Sequence, residues 1–123
     1  MSDNRIVKKI ASYIETHLDE DLSLESIAKD MHYSKFYLAR IFAEQTGSTI
    51  GKYIQGRRLT LAARKLVETN KPIVEISYEA HYNSQQAFTL AFRRRYLCTP
   101  QVYRKRGIFD SKHPQMRMKG AAA

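Results

Sequence analysis

Residues 35 to 45 combine cationic, aromatic and small side chains at spacings that place them on one side of an α-helix. Lys35, Phe36, Ala39, Arg40 and Ala43 follow the i, i+3, i+4 and i+7 pattern of a single helix face. A guanidinium such as that of Arg40 can donate two hydrogen bonds to one guanine, and Phe36 and Ala39 can pack on a thymine methyl group. Phe36, Ala39 and Arg40 are therefore candidate contacts to DNA bases. The alternative is that Phe36 belongs to a core and Arg40 is a solvated charge.

A second segment, residues 85 to 96, carries a comparable set: Gln85, Gln86, Thr89, Leu90 and Arg93. A glutamine amide can pair with adenine, a threonine can contact a methyl group or a phosphate, and Arg93 suits a phosphate. Gln85, Gln86 and Thr89 are therefore candidate base contacts. The same side chains would also suit a surface that only positions the chain on a nucleic acid, and the sequence leaves that choice open.

Basic and hydroxyl side chains around these segments are candidate contacts to phosphates, because phosphate neutralisation supplies most of the sequence-independent affinity for nucleic acids. They are Ser34, Lys35, Arg57, Arg58, Ser84, Arg93, Arg94, Arg104 and Lys105. A run of charges is usually a solvated face, and we expect roughly half of the arginines to touch nothing in a complex.

The distribution of charge supports a polyanionic partner. The 123-residue chain has a formal net charge of +9. Residues 1 to 50 carry six basic and eight acidic side chains, and residues 51 to 123 carry fifteen and four. The second part therefore generates the positive field, which suits a nucleic acid or an acidic membrane surface.

Several classes of protein are disfavoured by what the sequence lacks. Cys98 is the only cysteine, and the four histidines have no metal-ligand spacing. No nucleophile elbow, phosphate-binding loop or zinc-protease motif occurs. No segment approaches the roughly 18 apolar residues of a membrane span. We therefore expect no enzymatic activity, no metal, no cofactor, no membrane association and a cytoplasmic location.

Apolar spacing and capping residues predict that helices position the two segments. Period-3.6 patterns without strand alternation indicate an all-α fold of about seven helices. Ser23, Ser34 and Ser84 are predicted N-caps, and Gly47 is a predicted helix stop. Thr99 and Pro100 are the predicted N-cap and first residue of a last short helix. One long helical pattern runs from Thr49 to Thr69, and its length is roughly 30 Å.

The chain also repeats itself. At an offset of 49, Leu24, Ile27, Met31, His32 and Tyr33 correspond to Ile73, Ile76, Ala80, His81 and Tyr82; at an offset of 50, Ser34, Leu38, Phe42, Thr49 and Tyr53 correspond to Ser84, Phe88, Phe92, Thr99 and Tyr103. A short helix, a turn and a capped second helix form a helix-turn-helix, whose second helix enters the major groove. Two copies about 30 Å apart could enter successive grooves, since one turn of B-DNA is roughly 34 Å.

These elements predict four parts of the chain. Residues 5–48 form a first helix-turn-helix subdomain, 49–70 a linker helix, 71–106 a second helix-turn-helix subdomain and 107–123 a tail. The composition of the tail is typical of a flexible segment, of the start of a further domain or of cloning residues.

Residues 5 to about 105 resemble the AraC/XylS family of bacterial regulators, and within it the compact MarA/SoxS/Rob-like subgroup. The matching residues include Leu22 to Ala28, Tyr33, Ser34, Leu38, Arg40, Phe42, Gly47, Tyr53, Ile54, Arg57, Leu59, Ala63, Ile73, Ile76, Ser84, Gln85, Gln86, Phe88, Phe92, Pro100, Tyr103 and Arg104. The resemblance implies a monomer that binds asymmetric double-stranded promoter sites and activates transcription through contact with RNA polymerase.

The chain departs from this pattern at four positions. His32, His81 and Leu97 stand where the family commonly has glycine, and Leu90 stands where the subgroup commonly has an arginine. Histidine tolerates a positive φ better than most residues, so the turns can form with some strain. Because leucine cannot pair with guanine, Leu90 predicts weaker base readout by the second recognition helix.

The sequence therefore predicts a sequence-specific double-stranded DNA-binding transcription regulator, and more specifically an activator. Two alternatives stay open: the DNA-binding part of a larger effector-sensing regulator, and a sequence-neutral architectural DNA binder. The length of the full gene would decide the first. Affinity for promoter DNA compared with random DNA at one salt concentration would decide the second.

Overall fold

A computed structural model describes residues 2–111 and confirms the all-α fold. The described part of the chain contains seven helices: α1 (Ser2–Thr16), α2 (Leu24–Met31), α3 (Lys35–Thr46), α4 (Ile50–Glu68), α5 (Ile73–Glu79), α6 (Gln85–Tyr96) and α7 (Pro100–Arg106). None of them is long and apolar enough to cross a bilayer. Of the predicted tail, only residues 107–111 lie within the described residues.

The chain divides into two compact units, with a boundary between Gln55 and Gly56. This boundary lies inside the continuous helix α4. The residues predicted as a separate linker helix therefore contribute to both units. The first unit contains α1, α2, α3 and the start of α4, and the second contains the rest of α4 with α5, α6 and α7.

In the first unit, α1 and α2 both pack against α3. Ile10, Ile14 and Ile27 have no exposed surface and form a core with Leu38 and Phe42. As predicted, Ser23 caps α2, and its hydroxyl accepts a hydrogen bond from the backbone N–H of Ser26 at 3.0 Å. The Ser23 N–H also donates to the Ser26 hydroxyl and completes a capping box, which was not among the predicted contacts.

The second unit has an aromatic core. Phe88 and Phe92 are fully buried against Leu66 and Ile76. Phe92 stacks on Tyr96 with ring centroids 4.6 Å apart. Because α6 packs against both α5 and α7, its inner face is covered from two sides.

Polar contacts join α4 to α5 and α7 within the second unit. Glu79 of α5 accepts from Lys65 and from Lys71, each at 2.8 Å, and these bonds lower the pKa of Glu79. Arg104 of α7 donates to the backbone carbonyls of Leu66, Thr69 and Lys71 at 2.9, 3.3 and 2.7 Å. These carbonyls lie at the end of α4 and just beyond it, where no further helical N–H is available. Arg104 therefore caps the last turn of α4.

The internal repeat is also a structural repeat. Ser34 and Ser84 cap α3 and α6, and both helices contain 12 residues. Thr49 accepts from the N–H of Lys52 at the start of α4, as Thr99 accepts from that of Val102 at the start of α7. The repeat extends to the ends of α3 and α6, since Gly47 and Leu97 are both left-handed C-caps.

Three residues other than glycine have a positive φ in residues 2–111: His32, His81 and Leu97. The turns expected at the two histidines therefore form, with φ of 64° and 68°. Leu97 has φ of 63° and is 82% exposed, so its side chain gains little from packing while its backbone carries the strain of a left-handed L-residue.

Replacing Leu97 with glycine should stabilise the protein. We expect Leu97→Gly to raise the free energy of unfolding by about 0.5 to 1 kcal/mol, because relief of left-handed strain exceeds the entropy that glycine adds to the unfolded chain. The matched control is Gly47→Leu, at the corresponding C-cap, where an added Cβ would have no neighbour within 4 Å. That variant should lose a similar amount. A decrease for Leu97→Gly in urea denaturation would contradict the prediction.

Candidate nucleic-acid interface

Helix α3 has a buried inner face and an exposed outer face. Leu38, Ile41 and Phe42 are at most 2% exposed and point to the core. The outer face, made of Phe36, Ala39, Arg40 and Ala43, lies on the opposite side of the helix. Phe36 is 75% exposed, which excludes the alternative that it is a core residue.

In the free protein, Lys35 and Arg40 of α3 each form an ion pair with a glutamate. Arg40 Nη1 lies 3.4 Å from Glu44 Oε1, and its guanidinium lies 5.6 Å from the ring centroid of Tyr37. Lys35 Nζ lies 3.2 Å from Glu25 Oε2 and 5.4 Å from the ring centroid of Phe36. Both ion pairs are largely solvated, so a phosphate or a base edge can replace the carboxylate at little cost.

Glu25, at the start of α2, has a lowered pKa. The largest cause is a backbone hydrogen bond, and the second is the hydrogen bond from Lys35. Glu25 is in the first turn of its helix, where unpaired N–H groups favour a negative charge. The lowered pKa favours the ionised carboxylate of Glu25, which pairs with Lys35 at the first position of α3.

Helix α6 presents the corresponding outer face: Gln86, Thr89, Leu90 and Arg93. Together with Gln85, these residues line one shallow depression of the second unit. Gln86, Leu90 and Arg93 are exposed, whereas Gln85 and Thr89 are half-buried. The structure therefore places the three predicted base contacts of this helix side by side on one surface.

The predicted phosphate contacts occupy three kinds of position. Ser34 and Ser84 are N-caps whose oxygens accept backbone N–H groups. Lys35, Arg57 and Arg58 are half-buried, and Arg93, Arg94 and Lys105 are exposed. Whether each of them binds a phosphate stays a prediction.

Arg104 differs from the other predicted phosphate contacts. Its Nε and Nη2 donate three hydrogen bonds to backbone carbonyls. In this structure Arg104 therefore caps the end of α4. Sequence reasoning missed this role because the partners lie 33 to 38 residues away in the chain. Arg95 of α6 is half-buried, and burial lowers the pKa of its guanidinium.

Two capped helix-turn-helix units with exposed outer faces define a class of protein, the helix-turn-helix DNA-binding proteins. The comparisons agree: the family model described as a helix-turn-helix domain matches residues 27–106. The chain is 42% identical over 106 residues to the regulatory protein SoxS of Escherichia coli K12, which covers 86% of this chain and 99% of SoxS. The chain belongs to the AraC-type helix-turn-helix family and is a DNA-binding transcription regulator.

Two further relatives support this assignment. The right origin-binding protein of Escherichia coli K12 is 41% identical over 100 residues, which are 81% of this chain and 35% of that protein. A solved structure of an AraC-type transcriptional regulator from Chromobacterium violaceum has a TM-score of 0.81 at 27% identity, covering 86% of this chain and 95% of the other. The resemblance to the AraC/XylS family and its compact subgroup is thus confirmed.

The pair between Arg40 and Glu44 generates a prediction. Glu44→Gln should raise affinity for specific DNA about two- to fivefold, because binding no longer has to break an exposed ion pair. Glu68→Gln is the matched control: it removes the same charge from another i, i+4 pair, Arg64 with Glu68, outside the outer faces of α3 and α6. Equal effects of the two variants in equilibrium binding would show that only net charge matters.

Proposed function

We propose that this chain activates transcription by inserting α3 and α6 into the major groove of double-stranded promoter DNA. The observation that carries the proposal is the pair of 12-residue, serine-capped helices, each with a buried apolar inner face and an exposed outer face. A helix with this division of faces can enter a groove without exposing its core. The chain acts by binding, not by catalysis.

The side chains divide between two tasks. On α3, Arg40 pairs with guanine and Phe36 and Ala39 contact thymine methyl groups; on α6, Gln85, Gln86 and Thr89 contact base edges. The remaining candidates bind phosphates: Ser34, Lys35, Arg57, Arg58, Ser84, Arg93, Arg94 and Lys105, with Arg104 contributing only beyond its structural role. Phosphate contacts set the register, and base contacts select the sequence.

Membership of the family supports the proposed partners and setting of this activity. The chain binds as a monomer, because two different recognition helices in one chain suit an asymmetric site. Activation proceeds through contact with RNA polymerase at the promoter, in the cytoplasm. Two capped helices of the same length in one chain support engagement of two major-groove segments.

Substitution of Arg40 tests base selection directly. Arg40→Ala should weaken binding to the specific site by about 1 to 3 kcal/mol and leave affinity for random DNA nearly unchanged. Arg94→Ala is the comparison, since loss of a phosphate contact weakens binding to both DNAs alike. Equal losses of affinity for both DNAs in Arg40→Ala would show that Arg40 contacts only phosphate.

Salt dependence tests the phosphate contacts and the alternative of a sequence-neutral binder. The logarithm of affinity should fall with the logarithm of salt concentration with a slope of roughly −0.9 for each phosphate neutralised. Several contacts predict a steep line on both DNAs, with specific DNA bound more tightly at every concentration. A nearly flat line would contradict the phosphate contacts, and identical lines for both DNAs would favour the architectural binder.

A further inference from the structure

Leu90 occupies the position in α6 that Arg40 occupies in α3. Both helices begin directly after a serine N-cap and run for 12 residues, and the two side chains are sixth from the start. The outer faces of the two helices differ at each corresponding position, and the change at the centre is from Arg40 to Leu90. A bidentate hydrogen-bond donor is replaced by a branched hydrocarbon.

The side chain of Leu90 does not belong to the core of its unit. Leu90 is 54% exposed, whereas Phe88 and Phe92 on the inner face of the same helix are fully buried. Its neighbours Gln86, Thr89 and Arg93 line the same shallow depression. Leu90 is therefore the apolar centre of a surface whose rim is polar and cationic.

The chemistry of the major groove limits what Leu90 can contact favourably. Base edges there present hydrogen-bond donors and acceptors, and the thymine C5 methyl is the apolar group among them. A leucine placed against a carbonyl oxygen or an amino group of a base would displace the water bound there. The polar group of the base would then have no hydrogen-bond partner. Against a thymine methyl group, both partners lose apolar surface to water, which is favourable.

We propose that Leu90 determines specificity by selecting thymine in the half-site beneath α6, as Arg40 selects guanine beneath α3. The inference rests on the proposed function, since it requires α6 to lie in the major groove. It goes beyond it by assigning a base to a side chain that cannot form a hydrogen bond. The second half-site then has its own preference, weaker than that of the first because one methyl contact replaces a bidentate pair.

Deoxyuridine tests the inference, because it differs from thymidine in DNA only by the missing C5 methyl group. The specific site is first obtained by selecting random duplexes with the full chain, and the half-site beneath α3 is located by the positions at which Arg40→Ala relaxes selection. Each thymine of the other half-site is then replaced singly by deoxyuridine. At one position the wild-type chain should lose affinity about fourfold, the equivalent of one buried methyl group.

Three variants identify Leu90 as the cause. Leu90→Ala should bind the thymine and deoxyuridine sites about equally. Leu97→Ala is the matched control, because Leu97 is more exposed than Leu90 but is the C-cap of α6, and this variant should keep the fourfold difference. Leu90→Arg should change the preferred pair at that position from T·A to G·C by about tenfold or more.

The outcomes separate this inference from the proposed function. If selection yields no preferred sequence, the proposed function fails. If it yields one, but no thymine beneath α6 is sensitive to loss of its methyl group, only the inference about Leu90 is overturned. The same holds if Leu90→Ala retains the wild-type discrimination, in which case Leu90 faces a protein partner or solvent.

Discussion

The two recognition helices each bury one face completely, and the surface that can meet DNA follows from that burial. Leu38, Ile41 and Phe42 in α3, and Phe88 and Phe92 in α6, lie in dense apolar cores. A shift of either helix by one residue is a rotation of about 100° about its axis. Such a rotation would expose large apolar side chains, at a cost of about 1.5 to 3 kcal/mol for each side chain exposed. The outward direction of Arg40 and Leu90 is therefore set by residues that lie in the two cores.

Capping defines where each of these faces begins. Ser34 accepts the N–H groups of Phe36 and Tyr37, and Ser84 accepts that of Ala87. With the start and the inner face of each helix established, the outer positions can change without changing the fold. The repeat shows this freedom, since the outer faces carry Phe36, Ala39 and Arg40 in one copy and Gln86, Thr89 and Leu90 in the other.

Much of this architecture could be predicted from the sequence because its signals are local. Period-3.6 burial, serine caps and the offset of the repeat depend on residues within one or two helical turns. The structure confirms the caps Ser23, Ser34, Ser84 and Thr99, the stop at Gly47 and the left-handed turns at His32 and His81.

Contacts between distant segments were not predictable in this way. The sequence predicts a phosphate contact for Arg104, because an arginine near a basic cluster gives no sign of carbonyl partners more than 30 residues away. The boundary between the two units inside α4 could not be predicted from the sequence either. The periodic pattern of apolar residues in a continuous helix does not change at such a boundary. At the site, the pairing of Arg40 with Glu44 has an i, i+4 spacing that the sequence does contain, and a search for such pairs would have found it.

We propose that α3 and α6 select bases with unequal strength. A base-by-base substitution scan of the specific site, with the affinity of the full chain measured for every single mismatch, tests it most directly. Each mismatch at the bases contacted by α3 should cost about 1 to 3 kcal/mol, and each mismatch beneath α6 distinctly less. Equal penalties in both half-sites would contradict the claim, because Gln85, Gln86 and Thr89 would then select bases as strongly as Arg40 does.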